Sequence, residues 1–238
     1  MIRPFRALVT LLLFLVLAGA ALAESIQDRA TAQSREVRRL EILDRRSVAG
    51  LVIANSVDLR IVLHQESRSD VAVELRGDVE SNRRGCMPRL RTSSSGSGYR
   101  AELITCTRPR FFLSMRGSVV LDVRLPTQWR GELIVDTSSG KIEADRLNVG
   151  SLVCDVSSGD ITLGDISADQ ISLDSSSGEI RISRARGPAR ADSSSGSVTI
   201  LEALGPVVAD TSSGDVFVGL NATPELVEVH TSSGSVTF

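Results

Sequence analysis

One pattern in this 238-residue chain has side chains that could do chemistry: a carboxylate that recurs at nearly constant spacing in its second half. The phrase reads Asp-x-Ser-Ser-Gly five times and His-Thr-Ser-Ser-Gly once. Its first positions are Asp136, Asp155, Asp174, Asp192, Asp210 and His230. Stacked carboxylates could bind cations, or serve a polysaccharide lyase, provided that they are solvated, hydrogen-bonded or metal-bound. An active site, however, needs different groups that converge on one place, whereas one residue type in nearly every repeat indicates a structural position.

The structural alternative assigns each of these residues to a corner between two strands. An Asp carboxylate can accept hydrogen bonds from backbone N–H groups two residues on, and glycine supplies backbone conformations that other residues avoid. We therefore interpret the five aspartates, with His230 as a substitute, as corner residues. No metal and no cofactor is expected there.

The other catalytic patterns are weaker. Ser138-Ser-Gly-Lys141 matches Ser-x-x-Lys, but it lies on the repeated corner, and neither Ser-Asp-Asn nor Lys-Thr-Gly occurs in the chain. The only two histidines, His64 and His230, fall in separate repeats, which disfavours a serine triad or a His-based zinc site. The sequence predicts no catalytic residues and a protein that is not an enzyme.

The corners must be positioned by a repeating fold. The glycines of the six phrases are 19, 19, 18, 18 and 20 residues apart, and self-similarity at such a period is typical of a solenoid. Apolar residues alternate on both sides of each phrase, as Leu133 and Val135 do before Asp136, which predicts strands with one buried face. The predicted fold class is all-β: a single-stranded parallel β-helix with coils of roughly 18–20 residues, regular over residues 131–238.

Residues 48–130 show a less regular version of the same alternation and are predicted to form degenerate coils of one β-helix domain over 48–238. Within them, Ser93–Gly98 is expected to be the tip of an inserted hairpin. Cys86 and Cys106 are equidistant from Gly96, which predicts a Cys86–Cys106 disulfide across its strands. The third cysteine, Cys154, takes the inward position of neighbouring repeats and is expected to be a buried core residue.

Arginines concentrate around this hairpin, and the charge of the two halves differs. Residues 24–130 carry 19 arginines against 13 acids, whereas residues 131–238 carry five arginines and one lysine against 16 acids. The candidate binding residues are Arg83, Arg84, Arg89, Arg91, Tyr99, Arg100, Arg108 and Arg110. Guanidinium groups suit phosphate or carboxylate groups of envelope glycans or lipids, and the alternative is a solvated rim. Export and the acidic half disfavour nucleic acid as a partner.

The start of the chain predicts export. Met1–Ala23 has two arginines, an apolar run and a final Ala-Leu-Ala, as a secretory signal peptide does. Its apolar core is shorter than a membrane span needs, so no transmembrane anchor is expected after cleavage. Residues 24–47 are expected to be a polar lead-in, in which Glu24–Arg39 is either mobile or a short helix. We therefore expect a periplasmic, cell-surface or secreted protein.

These features together resemble a bacterial family known as putative adhesins. The resemblance is carried by the signal peptide, the Val-x-Leu-x-Val-x-Leu-Pro126 strand and the repeated (Asp/His)-x-Ser-Ser-Gly-x-(Ile/Val), and it covers roughly Val48 to Phe238. It implies a β-helical domain with an envelope role and adds no catalytic residues. We expect a non-enzymatic, adhesin-like binding module. The alternatives are a periplasmic regulatory or assembly protein that docks a partner on its Val236–Phe238 strand edge, and a polysaccharide-active β-helix enzyme.

Overall fold

The computed structural model describes residues 34–44, 49–55, 59–81, 87–96, 98–104, 115–221 and 225–238. All regular elements in these ranges are β-strands. The first nine are β1 (Ser34–Asp44), β2 (Gly50–Asn55), β3 (Leu59–Glu66), β4 (Asp70–Ser81), β5 (Arg89–Ser95), β6 (Gly98–Ile104), β7 (Met115–Pro126), β8 (Glu132–Asn148) and β9 (Ser151–Ser158). The others are β10 (Ile161–Ser167), β11 (Gln170–Ser175), β12 (Ile180–Arg186), β13 (Ala189–Ser193), β14 (Val198–Ala203), β15 (Val207–Thr211), β16 (Val216–Leu220), β17 (Val227–Thr231) and β18 (Val236–Thr237).

The regular repeats stack as two parallel sheets. Even-numbered strands from β10 to β18 form sheet A, and odd-numbered strands from β9 to β17 form sheet B. The long strand β8 contributes its second half to sheet A and its first half to sheet B. Equivalent residues pair in register, so that Asp155 lies beside Asp136 on one side and Asp174 on the other. The predicted all-β parallel solenoid is confirmed.

The core consists of aliphatic side chains stacked between the two sheets. Val135, Cys154 and Leu173 occupy one such row, and each is almost completely buried. Stacked Val, Ile and Leu side chains remove a continuous apolar surface from water, which is the main stabilising contribution in a fold of this kind. The prediction for Cys154 is confirmed. Its burial raises the pKa of the thiol to about 12, so the sulfur stays protonated and unreactive.

Two irregular coils extend this stack, but not in chain order. Strands β2 and β3 pair directly with β8, whereas β6 and β7 pair with the far side of β2 and β3. The coil nearest the start of the domain therefore lies between the second coil and the first regular repeat. This arrangement supports the prediction of degenerate coils for β2, β3, β6 and β7.

The strand that contains Val71, Val73 and Leu75 is not a coil, contrary to the prediction. It is β4, and it runs antiparallel to β7. The chain reverses after Glu66, where the Arg68 guanidinium donates hydrogen bonds to the carboxylates of both Glu66 and Asp70. Consecutive strands that lie in one sheet and are joined by so short a connection must run in opposite directions, because a parallel pair in the same sheet needs a longer crossover.

Residues 34–44 also differ from the prediction, since they form β1 and not a mobile lead-in or a helix. This strand pairs antiparallel with β4 along its whole length. Edge pairing satisfies backbone groups that β4 would otherwise leave open, and this tertiary effect outweighs the polar local composition. The predicted signal peptide, Met1–Ala23, lies outside the described residues.

The predicted hairpin is present as the antiparallel pair β5 and β6, with its tip at Ser95–Gly98. Its register differs by one residue from a hairpin centred on Gly96, because Arg89 pairs with Ile104 and not with Leu103. Cys86 and Cys106 lie outside the described residues, so their disulfide stays a prediction.

Candidate functional site

In the last four corners, side-chain hydrogen bonds come from the residue after the aspartate or His230: Ser175, Ser193, Thr211 and Thr231. Ser175 is fully buried, and its hydroxyl oxygen accepts a 2.9 Å hydrogen bond from the Gly178 N–H. Ser193 accepts the equivalent bond from Gly196, also at 2.9 Å. The same hydroxyl position bonds to the preceding coil, as Thr211 does by donating to the Gly196 carbonyl at 2.9 Å. These corner bonds are therefore made by the residue after the aspartate, whereas the sequence analysis expected them from the aspartate itself.

The corner glycines allow neighbouring coils to approach closely. A Cβ atom added at Gly178 would lie 1.7 Å from the carbonyl oxygen of Gly159, and one at Gly196 would lie 1.9 Å from that of Gly178. Any larger residue would push these coils apart. Glycine is needed here because of contact between backbones, which the repeated sequence shows only indirectly.

The five aspartates and His230 form a row on the outer surface of sheet B. Desolvation and the charges of Asp174 and Asp136 raise the pKa of Asp155. The pKa of Asp192 is also raised, by desolvation and by Asp174 and Asp210, although Arg190 opposes the shift. Among the described residues, no group of three or more His, Cys, Asp or Glu side chains is arranged to hold a metal ion. The row is a strip of negative charge in which Asp192 is ion-paired with Arg190.

The hairpin carries part of the predicted arginine cluster. Arg89, Arg91 and Arg100 project from its outer face and are exposed, and Arg91 lies opposite Glu102. Tyr99 points the other way, is half-buried and packs against the core. Four further candidates lie outside the described residues: Arg83, Arg84, Arg108 and Arg110. The face can present guanidinium groups to an anion, with Tyr99 as support for the strand and not as part of the surface.

A second basic cluster, on the outer face of sheet A, was missed by sequence reasoning. Two buried carboxylates, Glu74 and Asp122, hold three arginines there. Arg38 and Arg124 donate to Glu74 at 3.0 and 3.1 Å, and Arg76 and Arg124 donate to Asp122 at 3.0 and 3.1 Å. Burial alone would raise the pKa of Glu74, but Arg38 and Arg124 together hold it below its usual range.

The second oxygen of Asp122 has no hydrogen-bond partner in the described structure, and the Nε2 atom of His64 lies 3.7 Å from it. The cluster draws its residues from four separate strands, β1, β3, β4 and β7, so no local run of arginines indicates it. The available sequence signal was the alternation in β3, where Arg60, Val62 and His64 point away from the core.

A groove of about 430 Å³ lies beside this cluster, where the corners of β3, β7, β8 and β10 meet. Arg60 and Lys141 line it together with Gly140, Ser158 and Asp160. Glu143 accepts a 2.6 Å hydrogen bond from Arg60 and lies 3.3 Å from the Lys141 ammonium. Burial raises and these two cations lower the pKa of Glu143, and the net shift is downward.

Comparison with known proteins identifies the fold. The model of a family described as Toastrack DUF4097 matches residues 49–238. The solved structure of a putative adhesin from Bacteroides fragilis NCTC 9343 is 9% identical, with a TM-score of 0.51 over 87% of this chain and 98% of the other. A putative cell adhesion protein from Clostridium sporogenes ATCC 15579 is 8% identical, with a TM-score of 0.45 over 85% and 98%.

A putative lipid binding protein from Parabacteroides distasonis ATCC 8503 is 14% identical, with a TM-score of 0.40 over 86% and 97%. Of these three structures, the one from Bacteroides fragilis has a TM-score above 0.5, and at this identity it supports nothing beyond the fold. No protein in the curated set matches the sequence. In the described part of the chain, no helix is long and apolar enough to cross a membrane.

Proposed function

This chain belongs to the Toastrack DUF4097 family, and from that premise we propose that it is a non-enzymatic binding module of the bacterial envelope. Its ligand is the anionic group of an envelope glycan or lipid. The domain spans residues 48–238 and follows a cleaved signal peptide, Met1–Ala23, and the segment 24–47. The protein acts in the periplasm or at the cell surface.

The observation that carries this proposal is the outer face of the hairpin. Three exposed guanidinium groups, on Arg89, Arg91 and Arg100, share that face with one carboxylate, Glu102. Guanidinium groups bind phosphate and carboxylate through paired N–H donors, and a rigid two-stranded scaffold keeps them in a fixed arrangement. The remaining predicted arginines, Arg83, Arg84, Arg108 and Arg110, are proposed to extend the same surface.

Binding to defined anionic probes tests the proposal. The double variant Arg91→Ala/Arg100→Ala should weaken binding to vesicles that contain an anionic phospholipid, or to polygalacturonate, by at least about tenfold. Which of the two probes binds decides between lipid and glycan. Arg190→Ala is the matched control, because Arg190 is an exposed arginine on the same face of sheet B. A parent protein that binds neither probe, or an equal loss in the control, would contradict the proposal.

The second candidate function is docking of an envelope protein by strand addition at Val236–Phe238. The exposure of Val236 (40%) and Phe238 (66%) favours it, since an apolar strand edge can accept a further strand. Crosslinking from a photoreactive residue at position 238 in the native host would capture one protein partner. Capture of the same species from a probe at position 190 would argue against a specific edge.

A further inference from the structure

The outer face of sheet A carries one row of side chains whose charge changes sign along the stack. The members of this row are neighbours through strand pairing and backbone hydrogen bonds. In spatial order they are Arg38, Arg76, Val120, Arg60, Lys141, Asp160, Glu179, Ser197, Asp215 and Ser235. The sign changes between Lys141 on β8 and Asp160, which immediately precedes β10.

Each half of this row keeps an excess of its own sign. The four cations share three carboxylates in the adjacent row, Glu74, Asp122 and Glu143, and their side chains are still 43% to 71% exposed. The three carboxylates of the other half have one arginine in the adjacent row, Arg181, which pairs with Glu179. Both halves therefore have charge and hydrogen-bonding capacity that the chain itself does not satisfy.

The row is complementary to itself in reverse order. We propose that this face binds a second copy of the chain about a two-fold axis that lies parallel to the strands, between β8 and β10. Rotation about such an axis turns one outer face onto the other, reverses the order of the strands and keeps each residue at its position along the strand. Isologous contact of this kind is the usual form of a symmetric dimer.

The pairing that this axis produces matches opposite charges at every charged pair. Lys141 faces Asp160 of the second copy, Arg60 faces its Glu179, and Arg76 faces its Asp215. The uncharged Val120 faces the uncharged Ser197, and at the ends of the row Arg38 faces the uncharged Ser235.

Other occupants fit only half of this surface. A polyanion that approached Arg60 and Lys141 would meet Asp160 and Glu179 within two strand spacings, about 10 Å. A polycation that approached Asp160 and Glu179 would likewise meet Arg60 and Lys141. Because a surface that is positive in one half and negative in the other is complemented by the same surface reversed, a second copy satisfies both halves together.

Two single charge reversals and their mixture provide the test. Arg60 and Glu179 lie three strand spacings apart in one chain, about 14 Å, so they do not pair within a copy. Arg60→Glu places two carboxylates opposite each other at two points of the dimer, and Glu179→Arg does the same with two guanidinium groups. Each variant alone should raise the dimer Kd by more than about tenfold. An equimolar mixture should dimerise as the parent does, because each reversed residue then faces its opposite.

Sedimentation analysis of the purified protein at 0.05 and 0.5 M NaCl gives the readout. The parent should be dimeric at low salt and dissociate at high salt, since exposed ion pairs are screened. Arg190→Glu is the matched control: its side chain is 56% exposed, against 58% for Arg60, and it lies on sheet B. A monomeric parent at low salt, dimeric single variants, or a mixture that stays monomeric would each overturn the proposal. None of these results depends on the hairpin arginines, so ligand binding and dimerisation can fail separately.

Discussion

The irregular coils of residues 50–126 and the regular coils of residues 132–238 share one stack, yet they handle charge in opposite ways. The irregular part buries two carboxylates, Glu74 and Asp122, and surrounds them with arginines. The regular part buries no charged side chain and leaves its aspartates side by side on the surface. The continuous core of the regular repeats stabilises the fold enough to tolerate the repulsion between neighbouring aspartates on its surface. The irregular coils lack this repetition and depend instead on specific ion pairs between particular strands.

The largest expected effect concerns the regular coils. Gly178→Ala should destabilise the protein by more than about 3 kcal/mol, because the new Cβ would lie 1.7 Å from the Gly159 carbonyl oxygen. Gly96→Ala, at the hairpin tip, should cost about 1–2 kcal/mol, since nothing lies within 4 Å and only the positive φ of 60° is unfavourable. Urea denaturation of both variants measures the difference. Equal losses would show that the coils can separate to admit a methyl group.

The next effect separates the two neighbouring residues of one corner. Ser175→Ala should cost about 1–3 kcal/mol, because the buried Gly178 N–H loses its acceptor. Asp174→Ala, one residue earlier and exposed, should change stability by less than about 0.5 kcal/mol. The same urea titration compares them, with the exposed Ser177→Ala as a control. A larger loss of stability in Asp174→Ala than in Ser175→Ala would show that the aspartate is the residue that stabilises the corner.

The smallest effects test the contrast in charge through its dependence on pH. At pH 7, Glu74→Gln should destabilise by about 1–2 kcal/mol, since the ionised carboxylate is held by Arg38 and Arg124. Asp155→Asn should instead stabilise by about 0.2–0.5 kcal/mol, because it removes one of several like charges on paired strands.

The effects of Glu74→Gln and Asp155→Asn on stability should vanish over different pH ranges. The folded-state pKa of Glu74 is lowered, so its contribution exists above the unfolded pKa and is lost as the pH falls through the lower folded value. The folded-state pKa of Asp155 is raised, so its cost grows as the pH rises through that value and is absent below the unfolded pKa, about 3.9. Stability curves of each variant against the parent between pH 3 and pH 7 measure both. A common pH dependence would mean that the two regions do not differ in this way.

The sequence predicted the regular coils well, because their signal repeats. Six copies of one phrase determine the period, the inward rows such as Val135 and Cys154, and the position of the corner. It could not show that Ser175 and not Asp174 makes the corner bond, since the two residues recur together and only the direction of their side chains distinguishes them. The strands β1 and β4 and the cluster around Asp122 depend on antiparallel pairings between distant segments. No local pattern encodes these pairings.

The position of the coil formed by β2 and β3 has a consequence for how the chain acquires its structure. This coil lies between β6 and β7 on one side and β8 on the other, so its neighbours are residues that leave the ribosome later. Its contacts with β8 span about 80 residues, and contacts of such long sequence separation form slowly because chain closure must precede them. The regular coils, whose contacts join segments fewer than about 25 residues apart, can form first and serve as the template on which the earlier segments settle.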